Sequence, residues 1–263
     1  MRAARVPTAG CIVHPPCHAV LSSAYSTAVR WGWVAFNPME AAQKPRLPAP
    51  DPNPPTPDEA ARIVAAAWEQ DSDWGMLVWT LLVTGARRGE VLALRWENLD
   101  LATGVLAIRH SVSEQGGTTT IKGTKTHQSR RISLDAATIA LLAGHRERLT
   151  ARWDQVGAGF DGQRFIFSYA PDHTRPCSPS GVTHRYARMV DKLGIRTRLH
   201  AIRHYSATEL LASGVDLRTV AGRLGHGSGG ATTLKVYAAW VASADQQASE
   251  LLAARLPSPP STG

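Results

Sequence analysis

Cysteine is scarce: 263 residues hold 3, an odd number without the spacing of a disulfide framework. Cys11, Cys17 and Cys177 read as free thiols, which suits a reducing cytosol, and a cytoplasmic location is expected. A secretory leader is lacking too. Arg2 and Arg5 open the chain, but Pro7, His14, Pro15 and Pro16 interrupt any apolar segment behind them. The longest strongly apolar run, Met76 to Val83, falls far short of the ~20 residues a spanning helix needs, so no membrane segment is expected. The sequence has no GxxxxGK[ST] loop, and ATP is not implied. Gly157-Ala158-Gly159-Phe160-Asp161-Gly162 matches a dinucleotide fingerprint by letter, yet the expected strand follows it rather than precedes it. Cys11, His14, Cys17 and His18, with two prolines between them, give too little chain for a closed tetrahedral zinc site. No cofactor and no metal are therefore expected. Acidic residues are outnumbered, 21 against 29 basic ones, and the resulting formal charge of +8 favours a polyanionic partner.

What is present is apolar content of 43%, enough for one substantial core and a small second unit. Residues 1–17 carry no periodicity and are expected to be irregular or disordered. From His18 to Trp33, Val20, Leu21, Ala24, Tyr25 and Ala28 recur at helical spacing before the Asn37-Pro38 break. Pro45 to Pro57 contains seven prolines in thirteen residues, which forbids a helix, and 44–56 reads as an extended linker. Thr56-Pro57-Asp58-Glu59 then spells an N-cap, a first-turn proline and a capping-box glutamate, predicting a helix to about Gln70. A second apolar helix from about Trp74 is expected to deliver Arg87 and Glu90 at its end. Gly104–Val112, Thr118–Lys122 and Arg130–Leu134 read as three short strands, with Lys125 in the loop before the last. Helices follow, with one strand-like piece at Phe165-Ile166-Phe167, and 258–263 reads as a flexible tail. The fold class is α+β: a mainly helical body with a small three-stranded antiparallel sheet at one edge.

Cutting a phosphodiester without a metal requires a nucleophile, charge neutralisation on the non-bridging oxygens and a proton for the departing alkoxide. Tyr237 is the candidate nucleophile, a phenol that nearby cations shift toward phenolate. Arg87 and Arg203 are candidates for the clamp, because a guanidinium forks onto two phosphate oxygens and keeps its charge. Lys125 is the candidate acid for the leaving 5′ oxygen, and His200 and His226 are candidates to hydrogen-bond the phosphate or assist proton transfer at Tyr237. His200 and Arg203, three apart at a helix start, can face one point. Leu217–Leu224 reads as a helix stopped by Gly225, which places His226 just past a C-cap. Thr232 or Thr233 then begins a helix carrying Tyr237. Singly, Arg87 beside Arg88 reads as a solvated turn, Lys122, Lys125, Arg130 and Arg131 as a charged hairpin, and Tyr237 as a core aromatic. Their joint occurrence in this order is what chance explains poorly.

TGARRGEVLALRW, KTHQSRRISL, LHAIRHYSATELLASGVDLRTVAGRLGH and TTLKVYAAW resemble the successive motif boxes of the tyrosine recombinases, the phage integrase family, over roughly 56 to 257. The resemblance implies catalytic roles for Arg87, Lys125, His200, Arg203, His226 and Tyr237, with Glu90 as a supporting acidic residue. It implies a catalytic integrase domain at 57–257 and strand cleavage through a 3′-phosphotyrosyl link, with release of a 5′-hydroxyl. The implied partners are double-stranded DNA attachment sites, a homotetramer on DNA that exchanges the helix Ala244–Leu256, and an accessory directionality factor. Family members usually begin with a helical core-binding domain. Here 18–43 resembles only its last helix, so the expectation is a truncated or decayed integrase whose catalytic domain still folds. Two other readings remain at this point: a catalytically silent protein binding DNA backbones, and a helix-turn-helix regulator built on Leu217–Tyr237.

Overall fold

The computed structural model describes residues 15–42, 53–123 and 129–225. Chain contacts divide it into two units, Met1–Asp51 and Pro52–Gly263. In the first, α1 spans Pro15–Arg30, beginning three residues before the start that the periodicity predicts. Asn37 closes the turn behind it. Its Nδ2 donates to the Ser22 carbonyl (3.1 Å) and to Ser26 Oγ (3.0 Å), while its Oδ1 accepts from the Met39 amide (3.0 Å) and so caps the 3-10 turn Pro38–Glu40.

The second unit opens as the sequence predicts. Thr56 Oγ1 accepts from the Glu59 amide and the Glu59 carboxylate accepts from the Thr56 amide, a complete capping box that starts α2 at Pro57 and carries it to Gln70. Ala60, Ile63 and Ala67 form its buried stripe. The next helix is shorter than predicted. α3 runs Ser72–Thr84 and stops where Gly85 turns left-handed (φ 59°); a separate helix α4, Arg88–Leu92, follows. Glu90 therefore sits on a new element, with Arg87 at its N-cap, and not at the end of α3.

The β region also departs from expectation. Gly104–Val112 is two strands, because the chain leaves one sheet and enters another. β1 (Leu99–Asp100), β2 (Val105–Ile108) and β5 (Arg130–Ser133) form an antiparallel sheet in the order β1-β2-β5. β3 (His110–Gln115) and β4 (Thr118–Gly123) form a separate antiparallel ribbon. The three-stranded sheet thus contains Leu99–Asp100 in place of the expected Thr118–Lys122, which pairs only with β3 in the ribbon. Phe165-Ile166-Phe167 is no strand; Phe165 makes only a single bridge to Arg95.

α5 (Ala136–Gln155), α6 (Pro179–Lys192), α7 (Leu199–Ala212) and α8 (Leu217–Leu224) complete the described residues. Trp74, Trp153, Tyr186 and Phe165 are among the largest side chains in the core. Among the described helices none is long and apolar enough to cross a membrane.

One titratable group lies deep in this core. His145 on α5 is fully buried, with Nε2 3.2 Å from the Ile166 carbonyl and Nδ1 3.2 Å from Arg148 Nη2. That pattern fits a neutral ring donating from Nε2 and accepting at Nδ1. Burial, helped by the charges of Arg148 and His173, brings its pKa down from 6.5 to about 4 against the opposing pull of the Ile166 carbonyl and Asp73. Its contribution is complete above the unfolded histidine pKa and disappears as pH falls through the folded value. Stability is expected to drop by up to ~3 kcal/mol between about pH 6.5 and pH 4 on this account. Urea midpoints across that range check it, and a slope unchanged in His145→Gln would refute it.

Candidate active site

Three helix ends meet around one cavity of about 420 Å3, lined by Arg87, Arg88, Arg198, His200 and Arg203 among others. The last turn of α3 shapes it. A helix C-terminus leaves carbonyls without internal partners, and here side chains from α7 and α8 supply donors. Ser206 Oγ bonds the Leu82 carbonyl (2.6 Å), Arg223 Nη2 the Val83 carbonyl (2.9 Å) and Arg203 Nη1 the Gly85 carbonyl (2.8 Å). Cations also suit the negative end of the helix dipole. Arg203 is thereby locked in place, only 5% exposed, on the cavity wall.

Arg87 is positioned from the other side. As the residue preceding α4 it has extended backbone (φ −65°, ψ 146°), and its amide donates to Glu90 Oε2 at 2.8 Å. Its Nη1 bonds Glu90 Oε1 (3.0 Å) and its Nη2 bonds the Gly225 carbonyl (3.1 Å). The side chain is still 45% exposed, so its guanidinium faces both the cavity and solvent. Gly89 lets the ribbon come close: a Cβ there would collide with the Val112 carbonyl oxygen of β3.

His200 lies in the first turn of α7, so the helix start faces the cavity. Burial lowers its pKa, and the Arg203, Arg87 and Arg88 charges lower it further. The ring is thus neutral at physiological pH, able to donate from one nitrogen and accept at the other. His204, one turn on, stands edge-on to it with centroids 5.0 Å apart. Burial first, then the His200 and Arg203 charges, bring His204 down to about 4.

The structure therefore brings Arg87, His200 and Arg203 to one cavity, with Glu90 buried beneath Arg87. Lys125, His226, Tyr237 and the segment Ala244–Leu256 lie outside the described residues, as do residues 1–14 and 43–52. One residue that the sequence reading leaves in a charged hairpin belongs here. Arg130 forks onto Glu90, Nη1 to Oε1 at 3.1 Å and Nη2 to Oε2 at 2.6 Å. The signal was strand alternation: Arg130 and Ile132 point inward while Arg131 and Ser133 are exposed. Glu90 is held below the usual carboxylate range: burial pushes it up, but the Arg130 hydrogen bond and charge, the Arg87 amide and the Arg87 charge outweigh that.

Arg87, Arg88, Arg198 and Arg203 thus wall a cavity on a mainly helical α+β body. Residues 56–242 match the model of the phage integrase family, and the chain belongs to that family. It is 27% identical over 218 residues to the ICEBs1 integrase of Bacillus subtilis (strain 168), covering 82% of this chain and 58% of that protein. The chain thus spans less than two thirds of that relative's length. In fold it is similar to a Tn1549 transposon integrase solved with transposon right-end DNA (TM-score 0.67, 19% identity, 89% of this chain and 78% of that one). It is also similar to a lambda integrase from a tetramer bound to a Holliday junction (TM-score 0.54, 20% identity, 81% and 58%).

Proposed function

We propose that this chain is a site-specific DNA recombinase that cleaves and rejoins strands through a 3′-phosphotyrosyl intermediate. The observation that carries the reading is the convergence of Arg87, His200 and Arg203 on a single cavity, with no carboxylate among its described lining residues. Such a wall suits one phosphodiester.

In the proposed reaction the Tyr237 oxygen attacks phosphorus, the Oη–P bond forms and the P–O5′ bond breaks. Arg87 and Arg203 hold the non-bridging oxygens as charge accumulates there. Lys125 gives its proton to the departing O5′. His200 and His226 hydrogen-bond the phosphate or take the tyrosine proton. The religation step runs this sequence backward with a partner strand's 5′-hydroxyl. The DNA partners are paired double-stranded attachment sites, engaged as a homotetramer through exchange of Ala244–Leu256, with a directionality factor choosing the outcome. Net charge of +8 supports the attraction to DNA.

The test incubates the chain with nicked suicide duplexes carrying candidate attachment sites and runs a denaturing gel. A protease-sensitive covalent protein–DNA band is expected. Salt-sensitive binding to the same duplexes with no covalent band would reject the enzyme and leave the silent backbone-binding reading.

A further inference from the structure

Arg130 does more than neutralise a buried carboxylate. Its Nε donates to the Arg223 carbonyl at 2.8 Å, in the last turn of α8, while both terminal nitrogens engage Glu90. Glu90 in turn holds Arg87, whose Nη2 reaches the Gly225 carbonyl at 3.1 Å. The hydrogen bonds run from Arg130 through Glu90 and Arg87 and meet the end of α8 at two carbonyls, those of Arg223 and of the C-cap Gly225. The fit at the cap is close. Gly225 adopts a left-handed conformation (φ 72°), and a Cβ added there would lie 2.6 Å from Arg130 Nη1. The guanidinium forms the seat on which the chain leaves α8, and the next residue in the sequence is His226.

We infer that Arg130 is a positioning residue for strand cleavage, fixing the end of α8 at Arg223 and Gly225 against Arg87. The inference rests on the recombinase reading above. Arg130 is not among the residues lining the cavity; it acts through Glu90 and the Arg223 carbonyl. A lysine would keep the charge beside Glu90 but could not fork onto both carboxylate oxygens while donating sideways to Arg223.

Arg130→Lys in the full chain tests this by two measurements. The first is single-turnover adduct formation on saturating suicide duplex, normalised to the folded, DNA-bound fraction. The second is amide hydrogen exchange at 223–225 without DNA. The expected result is a roughly ten- to hundredfold slower normalised cleavage, duplex affinity within about twofold of wild type, and exchange at 223–225 at least about tenfold faster while α2 and α3 are unchanged. Wild-type normalised cleavage, or slowed cleavage with unaltered exchange at 223–225, would overturn it. A wild-type chain that forms no adduct would instead defeat the recombinase reading, and unaltered exchange in Arg130→Lys would still defeat the positioning of α8.

Discussion

Tyr237→Phe is expected to abolish the covalent protein–DNA adduct altogether, and Arg203→Ala to slow its formation by ~10^2–10^3-fold or more, through separate losses. The first removes the proposed nucleophilic oxygen while leaving every cation in place, so duplex binding is expected to persist. The second leaves the nucleophile but removes a charge that is already desolvated and already aimed. Arg203 is buried on the cavity wall with Nη1 tied to the Gly85 carbonyl, so it has little reorganisation left to make when charge develops on the phosphate. Arg203→Lys separates charge from geometry: a point charge cannot fork, and most of the rate loss is expected to remain. Arg203→Ala also leaves the Gly85 carbonyl short of a donor, at ~1–3 kcal/mol of stability. Single-turnover rates at saturating duplex, compared with urea midpoints, distinguish the two effects. Arg203→Ala forming adduct at the wild-type rate would remove this residue from the chemistry, and an adduct in Tyr237→Phe would remove the nucleophile.

What the sequence disclosed follows from the range of the interactions involved. Local chemistry was readable: Thr56 and Glu59 lie three apart and cap each other as their identities require, and Gly225 ends α8 as its placement after Leu224 predicts. The three-residue spacing of His200 and Arg203 likewise put both on one cavity. Long-range pairing was not readable. Nothing near Ile108 announces that the chain changes sheets before His110, because that follows from which strands pair, β2 with β5 and β3 with β4. The break at Gly85 was hidden by a following apolar stretch that kept a helical look. Arg130 and Arg131 are indistinguishable as letters. Only the pairing of Ile108 with Arg130 and the buried neighbour Ile132 turn one arginine inward to Glu90.

Replacing Glu90 by alanine is expected to cost the domain about 3–5 kcal/mol, which is the usual loss when one side of a buried ion pair is removed. The carboxylate is only 3% exposed, and its two oxygens accept from four donors: the Arg87 amide and Nη1, and both terminal nitrogens of Arg130. Alanine leaves Arg130, 12% exposed, with two donors aimed at nothing, and leaves Arg87 held only through the Gly225 carbonyl among the described residues. Glu90→Gln keeps the volume but turns an amide NH2 toward guanidinium donors, so it is expected to recover less than half of the loss. The pH dependence follows from the depressed pKa of Glu90. Its stabilisation is present above the unfolded carboxylate pKa and is lost as pH falls through the lower folded value. The gap between wild type and Glu90→Gln should therefore be full near neutrality and close in acid, below about pH 4. Urea denaturation of both chains at neutral and acid pH measures that gap. A gap that stayed constant into acid would mean that packing, and not the charge of Glu90, holds α4 to β5 and the end of α8.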